Sequence, residues 1–401
     1  LTVKKRLIYI NLDGFGRYYY DSMPDKTLLP GLSRLMSMGV SFNNAQTGIP
    51  SITFPMQCAI VSGGYSNATG NCFAYLDREK GQMVQQRRYN KAQTAAELMA
   101  EQGLRTLSIQ QFACEDKGCT RSDPNHLYIQ PGGNCHDRFP ILLNLLQSKS
   151  GEELPDAIFL YLDDLDSIGH NPLFCYADSE DKRIANVQKR LCEIDRYLVQ
   201  MLDIMERRRL LDNTYILLTA DHGMVSYRGS KIEELCHALY EYGFRSVRTV
   251  PDHTAVDSMP EVLLTGHSIQ CQLYLAQPQQ CDSDKLKSYL QNLPYVEQVL
   301  TAEQLAARGV ASAYADMLIS PVEGESLAPQ PPLLPTLQAS HDSLHSKCQH
   351  IFAVMAGPGL RQDYTETAEV HNIDFFPTML FLMQLPPLRD ATGSIIDSIV
   401  L

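Results

Sequence analysis

Residues 157–170 read Ala-Ile-Phe-Leu-Tyr-Leu-Asp-Asp-Leu-Asp-Ser-Ile-Gly-His: an apolar run, Ala157–Leu162, that leads straight into Asp163, Asp164, Asp166 and His170. A half-exposed strand would alternate apolar and polar residues. A continuous apolar run of this length predicts a strand buried on both faces, as in a parallel sheet. The arrangement recurs twice. Leu7–Leu12 (LIYINL) ends at Asp13 in Leu-Asp-Gly-Phe-Gly, and Thr214–Thr219 (TYILLT) leads through Ala220 to Asp221 and His222. Arg105–Ile109 (RTLSI) and Ile351–Ala356 (IFAVMA) are further strand-like runs.

Helical patterns separate these strands. Thr94–Gln102 ends at Gly103, a natural stop. Between Ala185 and Arg208, Val187, Leu191, Ile194, Leu198, Met201 and Met205 recur at helical spacing and predict an amphipathic helix. Strand alternating with helix predicts an α/β class fold, a doubly wound, mostly parallel sheet with helices on both faces. Residues 225–335 have a different texture. Gln270–Leu275 alternates like a half-exposed strand, Ser283–Leu293 reads as a helix and Val296–Leu300 as a strand. Pro321, Pro329, Pro331, Pro332 and Pro335 follow. The expected division is a core of residues 1–224 and 336–401 with a small α+β cap inserted over 225–335.

A formal net charge of -12 disfavours gripping a nucleic-acid polymer, which needs clustered Lys and Arg. A small phosphorylated substrate is compatible with it if bound cations dominate the local field. The longest apolar run near the C-terminus, Phe375–Leu385, is short and holds Pro377, so no membrane span is expected. No signal-peptide pattern is visible at the N-terminus, although the first residue is not Met. The 11 cysteines are irregularly spaced. Cys114 and Cys119 are close enough for a loop disulfide, but reduced thiols and a cytoplasmic location are the expectation.

Ligands of open α/β sheets bind beyond the carboxyl ends of the strands. Asp13, Asp166 and Asp221 would therefore converge. Crowded carboxylates repel unless they are protonated or neutralised by a cation, and a divalent metal is the simpler answer. Asp166 and His170 share a face if the residues between them form a helical turn. Asp221 and His222 are adjacent before Gly223. Mixed carboxylate and imidazole donors suit zinc, manganese or iron better than calcium. Taken singly, a strand-end Asp is often a cap and a lone His often a core residue. Asp163 and Asp164 read as supporting residues.

The segment Gly48-Ile-Pro-Ser-Ile-Thr-Phe-Pro predicts a helix whose first turn holds Pro55 and which runs to about Ser62, before Gly63-Gly64. Thr53 would lie at its N-terminus, where the helix dipole favours negative charge. That is a suitable place for an activated hydroxyl. Ser51 is the rival hydroxyl, and an ordinary N-cap is the plain alternative for Thr53. Cys58 reads as packing. Tyr18, Tyr19 and Tyr20 could stack on a nucleobase or aryl group, or simply pack.

These motifs, in this order, resemble the alkaline phosphatase superfamily, specifically the nucleotide pyrophosphatase/phosphodiesterase-like branch that includes phosphonoacetate hydrolases. The resemblance runs from Leu-Asp-Gly-Phe-Gly through Thr-Phe-Pro, Asp-Ser-Ile-Gly-His, Thr-Ala-Asp-His-Gly-Met and Ser-His-Asp to Gly-Pro-Gly-Leu, closing with Asn372-Ile-Asp-Phe-Phe-Pro-Thr-Met-Leu. It implies two divalent ions, zinc in the first instance. One would be held by Asp13, Asp221 and His222, the other by Asp166, His170 and His341. It also implies Thr53 as nucleophile in the hydrolysis of phosphate esters, with nucleotides as candidate substrates. His341 is preferred to His345, and His371 reads as a helix-start residue. Relatives commonly carry an asparagine after the nucleophile helix that contacts a phosphoryl oxygen. Asn71 is the available residue, displaced by a few positions. A phosphonate hydrolase would use the same groups. A phosphomutase fits the Thr-Phe-Pro segment poorly, and the modification motif of sulfatases is absent. A non-catalytic metal-binding protein is the non-enzyme alternative.

Overall fold

The computed structural model describes residues 4–251, 254–256, 258–329 and 336–401. Pro331, Pro332 and Pro335 of the proline-rich stretch lie outside the described residues. Eight strands form the main sheet. They are β1 (Arg6–Leu12), β2 (Gly39–Phe42), β3 (Thr106–Ile109), β4 (His126–Ile129), β5 (Ala157–Leu162), β6 (Thr214–Thr219), β7 (Ala353–Ala356) and β8 (Tyr364–Glu366). Their order across the sheet is β8-β2-β7-β6-β1-β5-β3-β4. Only β7 runs against the rest. Every residue of β1, β5 and β6 is buried, which accounts for their mostly apolar runs.

Register sets up the site. Leu12 is level with Leu162, and Asn11 with Thr219. The next residues of the three central strands therefore bring Asp13, Asp163 and Asp221 to one edge of the sheet.

The long helix spans Glu180–Arg207 and buries the expected stripe from Val187 to Met205. It begins five residues before the sequence pattern does, because its first turn, Glu180–Arg183, is wholly polar even though Arg183 is buried. Thr94 and Glu97 close a capping box on the helix Ala95–Glu101. The edge strands β4 and β8, and β2 beside β8, are three or four residues each, carry no periodic signal and escape the sequence reading.

A second sheet of five strands lies within the 225–335 stretch, ordered Val247–Thr249, Val262–Thr265, Cys271–Leu275, Met317–Pro321 and Val296–Thr301. Helices Ile232–Tyr242 and Ser283–Gln291 pack on one face through Leu235, Leu239, Leu286 and Leu290. The alternating strand expected to be half exposed is buried throughout. Its polar-looking face is covered by the hairpin Ala74–Asp77/Gln82–Gln85, where Leu76 and Met83 meet Leu263 and Tyr274. There Gln272 Nε2 donates to the carbonyls of Ala74 (3.0 Å) and Tyr314 (2.7 Å).

Candidate active site

The helix bearing the expected nucleophile spans Thr53–Ser62 and ends at Gly63 in the left-handed conformation (φ 64°). Its N-cap is Ile52, so the Thr53 hydroxyl does not cap the helix. Instead Thr53 Oγ1 lies 3.1 Å from Nε2 of His222. The rival hydroxyl of Ser51 faces a different loop, accepting from Ser343 N (3.1 Å). The Ser51 carbonyl accepts from Asp342 N (3.1 Å) and lies 2.9 Å from His341 Nδ1. Ser51 therefore fastens the His341 loop to the segment that carries Thr53.

Asp13 leaves β1 through Gly14, whose φ of 74° favours glycine; a Cβ there would lie 2.9 Å from Asp166 Cα. Asp13 Oδ2 accepts from the Tyr161 hydroxyl. Its Oδ1 has no hydrogen-bond partner and lies 3.3 Å from His222 Nε2. Asp221 is similarly divided. Oδ1 accepts from Gly14 N (3.3 Å) and His222 N (3.1 Å). Oδ2 has no hydrogen-bond partner and is 3.6 Å from His222 Nε2. Asp166 stands on the short helix Asp164–Gly169, with Oδ1 3.3 Å from His170 Nε2 and 3.7 Å from His341 Nε2.

Two groups follow. Ligand atoms of Asp13, Asp221 and His222 lie within 4.8 Å of one another, and so do those of Asp166, His222 and His341. His222 belongs to both, and its ring stacks on that of His341 at 3.8 Å. His170 adjoins the second group through Asp166 from a more exposed position. His345 turns away, its Nε2 3.6 Å from Glu323, and His371 starts a turn at Asn372.

The three clustered histidines share one orientation. Nδ1 faces a backbone carbonyl in each: Gly223 for His222 (3.0 Å), Ser51 for His341 (2.9 Å) and Ala339 for His170 (2.8 Å). A carbonyl only accepts, so Nδ1 carries a proton in each; in the neutral rings of His222 and His341 Nε2 turns a lone pair inward, whereas at His170 Nε2 faces Asp166 (3.3 Å) and holds a second proton. Those lone pairs meet three buried carboxylate oxygens, on Asp13, Asp166 and Asp221. Such convergence of negative ends is unstable alone and suits bound cations. Burial, then Asp221 and Asp166, pushes the Asp13 carboxyl well above its usual range. Burial opposes charge on Asp166 too, but the neighbouring imidazoles, His170 first, hold its carboxyl below the ordinary value. At His170 the pull of Asp166 outweighs burial and raises it to about 9, so a cation entering there displaces a proton. Burial and His222 push His341 well down, favouring the neutral ring.

The family model for type I phosphodiesterase/nucleotide pyrophosphatase matches residues 7–250. The chain belongs to that family. Rat ectonucleotide pyrophosphatase/phosphodiesterase family member 3 is 23% identical over 272 residues, 65% of this chain and 30% of that protein. A Saccharomyces cerevisiae ectonucleotide pyrophosphatase/phosphodiesterase 2 is 27% identical over 88 residues, 22% of this chain and 17% of that protein. The matched region thus spans less than a third of either relative's length. Murine ectonucleotide pyrophosphatase/phosphodiesterase 5 superposes with a TM-score of 0.70 at 16% identity, covering 99% of this chain and 100% of that one. Its inactive threonine-to-alanine variant in complex with AMP gives a TM-score of 0.68 at 16% identity, with 100% of both chains covered. These likenesses establish the alkaline phosphatase-like α/β fold.

Two expectations are revised. Asn71 is fully buried, and its amide donates to the carbonyls of Arg87 (3.0 Å) and Tyr89 (2.8 Å) while Oδ1 accepts from Phe73 N (2.9 Å). Both donors are occupied, so Asn71 shapes its loop and has none left for a phosphoryl oxygen. Tyr18 and Tyr19 take hydrogen bonds from the buried Arg183 (3.0 and 2.7 Å), and Tyr20 packs on Phe352. These rings are packing and anchoring residues.

Sequence reading missed what holds the acids. Asp163 pairs with Arg138 (2.8 Å) and Asp164 with Arg190 (2.5 Å). Arg183 also donates to Gly169 O (2.9 Å), steadying the helix that carries Asp166. No motif announces these arginines, since each comes from a distant helix. Among the described residues no helix is long and apolar enough to cross a membrane.

Proposed function

We propose that this chain is a metal-dependent phosphodiesterase that cleaves phosphate esters of nucleotide type through Thr53. The observation that carries the reading is the Thr53 hydroxyl 3.1 Å from His222 Nε2, the atom where both ligand groups meet. Asp13, Asp221 and His222 would hold one divalent cation. Asp166 and His341, with His170 beside them, would hold the second, and the donor set favours zinc, then manganese or iron. When bound, the cations neutralise the carboxylates and act as Lewis acids toward phosphoryl oxygen.

Thr53 stands at the positive end of its helix, which favours release of the hydroxyl proton to solvent as Oγ1 bonds to phosphorus. The bond from phosphorus to the leaving oxygen breaks in the same displacement. Water then attacks the phosphothreonine, returning Thr53 and releasing the phosphate product. Phe54, half-buried beside the nucleophile, offers an aromatic face to a planar base; the buried Phe73 stands parallel to it, with ring centroids 6.4 Å apart. The complex of the murine relative with AMP makes nucleotides the first substrates to try. Residues 225–335 act as the cap over the substrate entrance.

The test combines metal analysis with a panel of aryl phosphodiesters, aryl monoesters, nucleotides and phosphonoacetate. Diester turnover that a chelator abolishes and zinc restores is expected. Cleavage of phosphonoacetate alone, or isomerisation without release of a product, would overturn the proposal.

A further inference from the structure

The two carboxylates nearest His222 are held in different ways. Asp221 Oδ1 is fixed by two backbone N–H groups, of Gly14 and His222. Asp13 has a side chain for its anchor: the Tyr161 hydroxyl bonds Oδ2 and leaves Oδ1 bare toward His222 Nε2. Tyr161 pairs in register with Asn11 on the adjacent strand, two residues before Asp13. Side chains two apart share a face of a strand, so the phenol rises beside the carboxylate it grips. The ring is fixed in turn. The Phe112 ring stands nearly perpendicular to it, with centroids 5.3 Å apart, and the Arg138 guanidinium lies 6.0 Å from its centroid. Tyr161 is 6% exposed, and Asp13 1%.

We infer that Tyr161 is a positioning residue for the Asp13 cation site, holding one carboxylate oxygen so that the other faces the cation. This rests on the two-cation reading proposed above. A carboxylate free to turn could offer either oxygen, or neither, at the distance a cation requires. A donor on the far oxygen removes that freedom before the cation arrives. Outer hydrogen bonds of this kind typically contribute 10–100-fold to metal affinity.

Tyr161→Phe deletes the hydroxyl and keeps the ring that packs on Phe112 and Arg138. The measurement is a competition titration of zinc against a chromogenic chelator, with melting of the chelated protein beside it. Expected is a loss of about 10–100-fold in affinity for one of two zinc equivalents, the other unchanged. Diester kcat should fall at limiting zinc and recover as zinc is raised. A second variant, Phe112→Leu, disturbs the same ring packing without touching the hydroxyl and should leave both affinities as in the wild type. A purely structural role would lower the melting temperature of Tyr161→Phe and leave zinc affinity intact, which would overturn the inference. An equal loss at both equivalents would also overturn it, as would a Phe112→Leu loss matching that of Tyr161→Phe. If the wild-type protein binds no zinc, the proposed function fails first. If it binds two and Tyr161→Phe binds them equally well, only the role of Tyr161 fails.

Discussion

Removing the cations should destabilise the protein increasingly as pH rises. Ligand oxygens of Asp13 and Asp221 lie no more than 4.8 Å apart, both in buried residues. Two unit charges at that separation repel by about 3.5 kcal/mol at an effective dielectric constant of about 20. An unfolding entropy of about 2.1 cal/mol/K per residue over a chain of 401 residues converts that into a shift of about 4 °C. The sign follows from Asp13, whose carboxyl is pushed upward by burial and its acidic neighbours. The chelated native state therefore keeps a proton that the unfolded chain has lost. That contribution is complete below the unfolded value and disappears as pH rises through the folded one. His170, raised to about 9, acts in the same direction. His341, held neutral by burial, has the opposite sign in acid, so the comparison belongs at pH 7 to 9. Calorimetric melting in chelator and in zinc should show a gap that widens over that range. Asp221→Asn keeps an oxygen for the Gly14 and His222 donors and removes one charge. Chelated Asp221→Asn should melt up to about 4 °C above chelated wild type, yet gain less from zinc. A gap independent of pH, or a chelated variant melting below chelated wild type, would refute the reasoning.

Thr53→Ala should lower diester turnover by roughly a thousandfold or more with both metal equivalents retained; near-normal rates would reject the nucleophile. Arg183→Met strips donors from Glu180, Tyr18, Tyr19 and Gly169 O and should cost about 3–5 kcal/mol in chemical denaturation. A loss under 1 kcal/mol would show that those groups find other partners. Asn71→Ala should cost about 1–3 kcal/mol of stability while kcat stays far closer to wild type than in Thr53→Ala. A kcat loss of hundreds-fold would restore Asn71 to the phosphoryl group.

The central strands were legible because burial on both faces leaves little choice of residue. The runs at Ala157–Leu162 and Thr214–Thr219 match their strands end to end. The convergence of Asp13, Asp166 and Asp221 was legible because strand ends in a parallel sheet share one edge. Short edge strands such as Tyr364–Glu366 were not, since three residues hold no period. Pairing escaped as well. Gln272 looks exposed in an alternating strand, and only the hairpin at Leu76 shows what covers it. The amide of Asn71 belongs to carbonyls sixteen and eighteen residues on, a fact of loop shape that local spacing cannot encode. The same holds for Tyr161, whose hydroxyl meets Asp13 only once two distant strands lie side by side.

The most direct test is anomalous diffraction from zinc-soaked crystals, recorded on both sides of the zinc absorption edge. Two strong peaks should flank Thr53 Oγ1, one bound by Asp13, Asp221 and His222 and the other by Asp166 and His341, with His170 beside it. A single peak, peaks elsewhere on the molecule, or a Thr53 hydroxyl turned away from both would contradict the two-cation threonine site.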